Sequence, residues 1–264
     1  MKKYLVIGNP INHSLSPKLH NYWLEQNNIN AVYDKMKLEE NEIETIIQDI
    51  KKQKIAGCNV TVPFKKIVIP FLDKLSLEAE QTQSVNTILF NNGDVIGHNT
   101  DIEGFYKAIA TLKFPLKNKK VLIIGAGGVV PSIIFALKKM HVSEISITNR
   151  TEKKAEDIKN QFNNIILTKW GDLPEFDMVI NATSLGLNNE SIKLNFSKVG
   201  KNKLFYDVIY NPSETSFLKE GKRFGNIGEN GKLMFIYQAM EAFYLWHGFK
   251  PKVDNEIIEL LRND

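Results

Sequence analysis

The chain is short of several things, and each scarcity removes a class of protein. It has one cysteine, Cys58, in 264 residues. No internal disulfide can form, so a reducing, cytoplasmic location is expected and Cys58 reads as a small buried thiol in an apolar strand. The five histidines are scattered without ligand spacing, so no metal centre is expected. No apolar run approaches the ~20 residues that span a bilayer. The run that follows Lys2-Lys3 breaks at Asn9-Pro10, too early for a signal peptide. Net charge is only +4, from 34 basic and 30 acidic side chains spread along the chain, which leaves no footprint for nucleic acid or a membrane surface. Repeats, low-complexity tracts and long linkers are missing as well. Arginine is the most telling scarcity. Only Arg150, Arg223 and Arg262 occur among the 34 basic residues, so each invites a reason.

What is present reads as ordinary globular material, 43% hydrophobic and 24% charged, long enough for two domains. Strands are predicted over 4–8, 31–38, 55–62 and 85–90, the last returning through an Asn92-Gly93 hairpin turn to about 98. Helices are predicted from Ser16-Pro17, with Ser16 as N-cap and Pro17 at the first helical position, and over 40–52 and 75–83. From 101 the pattern changes to strict alternation: helix 101–113, strand 121–124, helix 128–140, strand 144–148, helix 152–162, and strands near 165, at 177–182 and at 204–208. Such alternation predicts a parallel, doubly wound sheet with right-handed crossovers. Apolar positions 233, 236, 237, 240, 243 and 244 mark a long helix, and a short one follows at 254–262. The last two helices are expected to return to the first block. The domains expected are therefore 1–101 with 238–264, and 102–237.

Three segments carry chemistry. Asn59-Val-Thr-Val-Pro-Phe-Lys65 is a strand that ends at Pro63 and delivers a lysine just past a buried run, where an ammonium needs a partner. Gly97-His-Asn-Thr-Asp101 offers the carboxylate. Gly125-Ala126-Gly127-Gly128 follows an apolar strand and opens a helix, a turn whose backbone and helix dipole suit a pyrophosphate. Val130 stands where the usual fingerprint has its third glycine. At the end of the next strand, where NAD-binding folds place an acid for the ribose 2′-hydroxyl, the chain has Asn149-Arg150-Thr151-Glu-Lys-Lys154. A guanidinium there fits a 2′-phosphate, with Lys154 one turn on, and NADP is the cofactor expected. A lysine, a carboxylate and a dinucleotide turn together suggest redox chemistry on a small polar molecule.

The order and spacing of these segments resemble shikimate dehydrogenase. Asn9-Pro-Ile-Asn-His-Ser14-Leu-Ser16-Pro, Asn59 to Lys65, Ser84-Val-Asn86-Thr, Asn99-Thr-Asp101-Ile-Glu-Gly104 and Gly125 to Gly128 carry the likeness. Asn149-Arg-Thr, Asn181-Ala-Thr-Ser-Leu-Gly186, Tyr206-Asp-Val-Ile-Tyr210-Asn-Pro and Gly231 to Gln238 extend it over nearly the whole chain. The resemblance implies NADPH-dependent reduction of 3-dehydroshikimate to shikimate. It also implies an α/β fold of two α/β domains, an N-terminal substrate domain with a mixed sheet and a Rossmann-like, doubly wound NADP-binding domain, with a cleft between them. Lys65 and Asp101 match the family's catalytic pair. Ser14, Ser16, Thr61, Asn86, Tyr210 and Gln238 match its substrate contacts. Gly125, Ala126, Gly127, Gly128, Val129, Asn149, Arg150, Thr151, Lys154, Val208 and Gly231 match its cofactor contacts.

The residue types agree with that chemistry. A carboxylate with three hydroxyls needs many neutral donors and acceptors, which Ser, Thr, Asn and Gln supply. An ammonium can stabilise a developing alkoxide and then protonate it. Ser14, unlike Ser16, has no capping role expected of it. Two departures stand out: Leu233 where many relatives have glycine, and the bulky Val129-Val130-Pro131 after the turn. The open alternatives are a quinate/shikimate dehydrogenase working with NAD, against which Arg150 argues, and a non-catalytic NADP sensor, expected to lack Lys65 and Asp101. A homodimer is an expectation that no residue pattern requires.

Overall fold

A computed structural model describes every residue except Asn189, Asn263 and Asp264. The chain divides into two compact units, Met1–Gly104 with Ile236–Asp264, and Phe105–Phe235.

The first unit is built on a six-stranded mixed sheet. Its elements in chain order are β1 (Lys2–Gly8), α1 (Ser16–Gln26), β2 (Ala31–Lys37), α2 (Ile43–Lys51), β3 (Gly57–Val60), β4 (Lys74–Leu75), α3 (Leu77–Thr82), β5 (Thr87–Asn91) and β6 (Asp94–His98). The strand order is β2-β1-β3-β5-β6-β4. β1 runs parallel to β2 and β3, whereas β5 is antiparallel to both β3 and β6. β1 and β3 lie inside the sheet, which is why they read as near-continuous apolar runs rather than alternating ones. One face packs Leu5, Ile7, Cys58 and Val60 against the buried stripe Ile43, Ile46, Ile47 and Ile50 of α2. Cys58 is free and buried, and burial pushes its thiol well above the ordinary range. On α1, His20 stacks on Tyr33 at 4.2 Å and meets Trp23 edge-on.

α4 (Asp101–Ala110) leads into the second unit. There β7 (Lys120–Ile124), α5 (Val130–Lys139), β8 (Glu144–Thr148), α6 (Glu152–Gln161), β9 (Ile165–Thr168), β10 (Met178–Asn181), β11 (Leu204–Asp207), α7 (Ser216–Arg223) and β12 (Ile227–Glu229) follow. All pairs are parallel and the order is β12-β11-β10-β7-β8-β9. This is the doubly wound arrangement, with its change of direction between β7 and β10, where such sheets bind ligands outside the strand ends. α8 (Lys232–His247) and α9 (Asn255–Leu260) close the chain. Trp246 of α8 donates to Ile88 O at 3.2 Å, and Tyr22 of α1 donates to Glu256 of α9 at 2.7 Å. Among the described residues no helix is long and apolar enough to cross a membrane, and no cluster of metal-ligating side chains occurs.

The structure corrects several local readings. Ser16 does not cap α1: Leu15 occupies the cap position without a side-chain bond, and Ser16 is the first helical residue. The first-turn amide is served from outside, because Ser16 N donates to Ser14 Oγ at 3.3 Å. Ser14 therefore has the local role expected of Ser16. α5 begins at Val130 rather than at 128, leaving Gly127 and Gly128 in the turn. Helix α7 and strands β4 and β12 were not foreseen.

Candidate active site

In the first unit, Lys65 sits in the turn that follows β3. Phe64 is buried and anchors this turn, its amide donating to Thr61 O at 2.9 Å, while Val85 N donates to Lys65 O at 2.8 Å. With the backbone held on both sides, the ammonium is directed to one place. Lys65 Nζ lies 2.5 Å from Asp101 Oδ2, and the two side chains are only 13% and 7% exposed. A pair so shielded is held together mainly by its own geometry, and removing one partner strands the other.

Asp101 is the first residue of α4, where a carboxylate is favoured by the helix dipole. Its amide donates to Asn99 Oδ1 at 3.1 Å. Asn86 Nδ2 reaches Asp101 Oδ1 at 2.9 Å, Thr100 Oγ1 at 2.9 Å and Gln238 Oε1 at 3.3 Å. Asn86 is in turn pinned through its backbone, accepting from Val60 N and donating to His98 O, and its Oδ1 accepts from Thr100 N at 2.7 Å. Lys65, Asn86, Asp101 and Gln238, named from sequence, thus meet in one cluster.

The cluster extends through residues that sequence reasoning did not single out. Asn59 Nδ2 donates to Asn86 O and to Thr87 Oγ1, both at 3.0 Å. Tyr33 donates its phenol to Asn59 Oδ1 at 2.6 Å. Burial raises that phenol's pKa far above its usual value. Ser16 is buried at the start of α1. An asparagine inside an apolar strand was the available signal for Asn59. Thr61, half-buried after β3, and Ser14 make no side-chain bond to the cluster. His98 contributes only its carbonyl, and burial lowers its imidazole pKa.

In the second unit, the turn after β7 meets the end of β10. Gly125 has φ +112, and a Cβ there would stand 2.8 Å from Ala182 O. A Cβ on Gly128 would meet nothing within 4 Å, so the turn leaves an open cradle. α5 begins beyond it with no side-chain cap, which suits its first amides to a phosphate. Val130 is fully buried. Its bulk fills the core and does not crowd the cradle, while Ala126 and Val129 are half-buried beside it.

Asn149 Nδ2 donates to Thr151 O at 2.7 Å, shaping the start of α6. Arg150 and Lys154 are exposed, and neither makes an ion pair among the described residues, whereas the neighbouring Lys153 bridges to Glu156 and Asp157. Two cations left without carboxylates at one strand end suit a dianionic 2′-phosphate. Across the sheet Gly231 packs on Val208 so closely that a Cβ would stand 2.2 Å from Val208 O. Tyr210 stacks on Phe235 at 4.6 Å. Leu233 is half-buried in the first turn of α8.

Comparison with known proteins gives this geometry a family. Residues 6–88 match the shikimate dehydrogenase substrate binding domain, residues 108–209 the shikimate/quinate 5-dehydrogenase domain, and residues 233–255 the shikimate 5′-dehydrogenase C-terminal domain. The chain is 58% identical to a shikimate dehydrogenase (NADP(+)) of Pelagibacter ubique over 98% of both chains. It superposes on the crystal structure of shikimate dehydrogenase from Aquifex aeolicus with a TM-score of 0.89 at 33% identity, covering 100% of this chain and 98% of that one. The Thermus thermophilus enzyme, solved with NADP(H) and shikimate, gives 0.90 at 30% identity and 99% coverage of each. The chain belongs to the shikimate dehydrogenase family.

Proposed function

We infer that the protein is an NADP-dependent oxidoreductase that interconverts 3-dehydroshikimate and shikimate, a step of the shikimate pathway towards chorismate and the aromatic amino acids. The observation that carries the mechanism is the shielded Lys65–Asp101 pair with Asn86 bridging it to Gln238.

When bound, the cofactor supplies the hydride that reduces the ketone carbon. The oxygen then needs a proton, and Lys65 supplies it as the general acid, its ammonium first stabilising the developing alkoxide. Asp101 holds that ammonium at 2.5 Å and fixes its direction. Asn86, Gln238 and Thr61 offer amide and hydroxyl groups to the substrate's hydroxyls. Ser14 and Ser16, at the N-terminal end of α1, receive its carboxylate, and Tyr210 completes the substrate contacts. In the oxidation direction the same amine takes up the hydroxyl proton, and because the net oxidation releases a proton its equilibrium moves towards product at alkaline pH.

On the second unit, Gly125 to Val129 would hold the pyrophosphate, Asn149, Arg150, Thr151 and Lys154 the 2′-phosphate end, and Val208 with Gly231 the nicotinamide end. The corresponding domains are 1–101 with 238–264 for substrate, and 102–237 for cofactor. Arg150 favours NADP over NAD, which separates this reading from a quinate/shikimate enzyme using NAD. A cytoplasmic location and a homodimer extend the proposal. A sedimenting mass of twice 30.1 kDa would support the dimer.

The deciding experiment is a spectrophotometric assay of shikimate and quinate against NAD and NADP in all four combinations. Shikimate with NADP should dominate. Preference for quinate or NAD, or no turnover in any combination, would overturn the proposal.

A further inference from the structure

One buried carboxylate of the second unit has no part in the mechanism above. Asp207, at the end of β11, is fully buried. Its partners are all neutral: Asn181 Nδ2 donates to Oδ1 at 3.0 Å, Ile209 N to Oδ1 at 3.0 Å, and Thr215 Oγ1 to Oδ2 at 2.6 Å. Burial pushes its carboxyl above the usual range, against those three hydrogen bonds. An interior carboxylate without a cation is a costly way to fill space. An apolar or amide side chain would serve a packing role at lower cost.

The three donors come from three different segments. Asn181 ends β10 and organises the loop after it, donating to Leu185 O at 3.1 Å and accepting from Thr183 N at 3.0 Å and Thr183 Oγ1 at 2.7 Å. Thr215 is the N-cap of α7. Ile209 lies in the stretch after β11. That stretch is gripped from its other side, because Gly231 N donates to Ile209 O at 3.1 Å, Gly231 has no room for a side chain against Val208, and Tyr210 stacks on Phe235. Val208, Tyr210 and Gly231 are the residues assigned above to the nicotinamide end and the substrate. Asp207 ties the segment bearing the first two to Asn181 and to the start of α7, beside the bond from Val208 N to Asn181 O at 3.0 Å.

We propose that Asp207 is a positioning residue for the reaction, whose carboxylate locks the Val208–Tyr210 segment against Gly231 so that nicotinamide and substrate contacts are set before either ligand binds. This rests on the function proposed above. Asp207 touches neither ligand. It acts on orientation, where a small misplacement costs far more rate than affinity.

The test measures NADP affinity and stoichiometry by calorimetry, and kcat/KM for shikimate per NADP-binding site. The variants are Asp207→Ala, Asp207→Asn, Thr215→Val and Thr215→Ser. In Asp207→Ala the NADP affinity should stay within about threefold, because the pyrophosphate and 2′-phosphate residues lie on other loops. Its kcat/KM per site should fall by roughly 10–100-fold, the scale of lost hydrogen bonds to a charged group. Asp207→Asn, which keeps one acceptor, should fall less. Thr215→Ser keeps the hydroxyl that bonds Asp207 and should stay within about twofold, whereas Thr215→Val should lose about fivefold or more. A purely structural role would reduce the number of sites that bind NADP and leave turnover per site unchanged. If Asp207→Ala does not fold, the Thr215 pair decides. Wild-type turnover per site in Asp207→Asn and Thr215→Val would overturn the inference while leaving the function intact. An inactive wild-type protein would instead overturn the function on which it rests.

Discussion

The two units arrange their polar groups in opposite ways. In the first, the working groups are side chains bonded to other side chains, brought together across 36 residues for Lys65 and Asp101 and across 152 for Asn86 and Gln238. In the second, a contiguous backbone turn supplies the cradle, and the assigned cations Arg150 and Lys154 stand exposed at a strand end. The first arrangement is rigid and shielded, as proton transfer to a developing alkoxide requires. The second leaves backbone and charge available for a ligand that brings its own negative charge. One cluster is organised through mutual hydrogen bonding of side chains; the other region presents exposed cations beside a glycine turn.

Breaking the first unit's pair should give the largest effect. Lys65→Ala should lower kcat by on the order of 10²–10⁴, the usual worth of a general acid, with NADP affinity unchanged by calorimetry. Near-normal turnover would remove Lys65 from the mechanism. The matching cut in the second unit is smaller and of another kind. Arg150→Ala should weaken NADP binding by roughly 10–100-fold through lost charged hydrogen bonds, while NAD use barely changes. Equal loss for both nucleotides would mean that Arg150 does not read the phosphate.

The same contrast decides what could be read from sequence. The cofactor turn is local, so an apolar strand, Gly125 to Gly128 and the Arg150 segment announced themselves as a unit. The Lys65–Asp101 cluster is not local. Residue types suggested that Lys65 needed a partner, but choosing Asp101, Asn86 and Gln238 together depended on the family likeness. Tyr33, Asn59 and Asp207 receive no individual role from the sequence because a buried polar residue in a strand gives a signal only once its partners are known. Among the elements, α7 was missed because only Phe217, Leu218 and Gly221 of its eight residues are buried, too few for a clear helical period. β12 is three residues long with Ile227 exposed, below what alternation can register. Ser16 misleads because Ser-Pro fits a helix that starts one residue earlier equally well; Leu15 holds the cap position, and the Ser16 amide donates to Ser14 Oγ.

Gly125→Ala sharpens the comparison from the side of stability. At φ +112 with Ala182 O 2.8 Å from the new Cβ, the backbone just past β10 must shift or the turn must change conformation. A loss of about 1–3 kcal/mol is expected, together with weaker NADP binding, since the cradle itself moves. A variant of wild-type thermal midpoint and wild-type affinity would show that the turn tolerates a side chain.

The smallest effect is acid sensitivity, which should fall on the first unit. His20 is fully buried there with no hydrogen-bond partner for Nε2 among the described residues, and burial, reinforced by His247, lowers its pKa to about 3. Burial, with Lys2, lowers His247 to about 4. Below pH 6.5 the unfolded chain takes up protons on these imidazoles that the folded unit refuses, so stability rises with pH and is lost as pH falls from 6.5. Buried Asp207 in the second unit has the opposite sign: its raised pKa means that acid relieves a cost there rather than imposing one. At pH 5.5, one unit below the ordinary imidazole value, His20 should cost about 1 kcal/mol. Hydrogen exchange, corrected for its intrinsic pH dependence, should show loosening of α1 and β2 between pH 7 and 5.5 while β7 and β10 hold. His20→Phe, which can keep the stack on Tyr33, should remove most of that difference. Equal loosening of both units, or a pH response untouched by His20→Phe, would place the acid-sensitive group elsewhere.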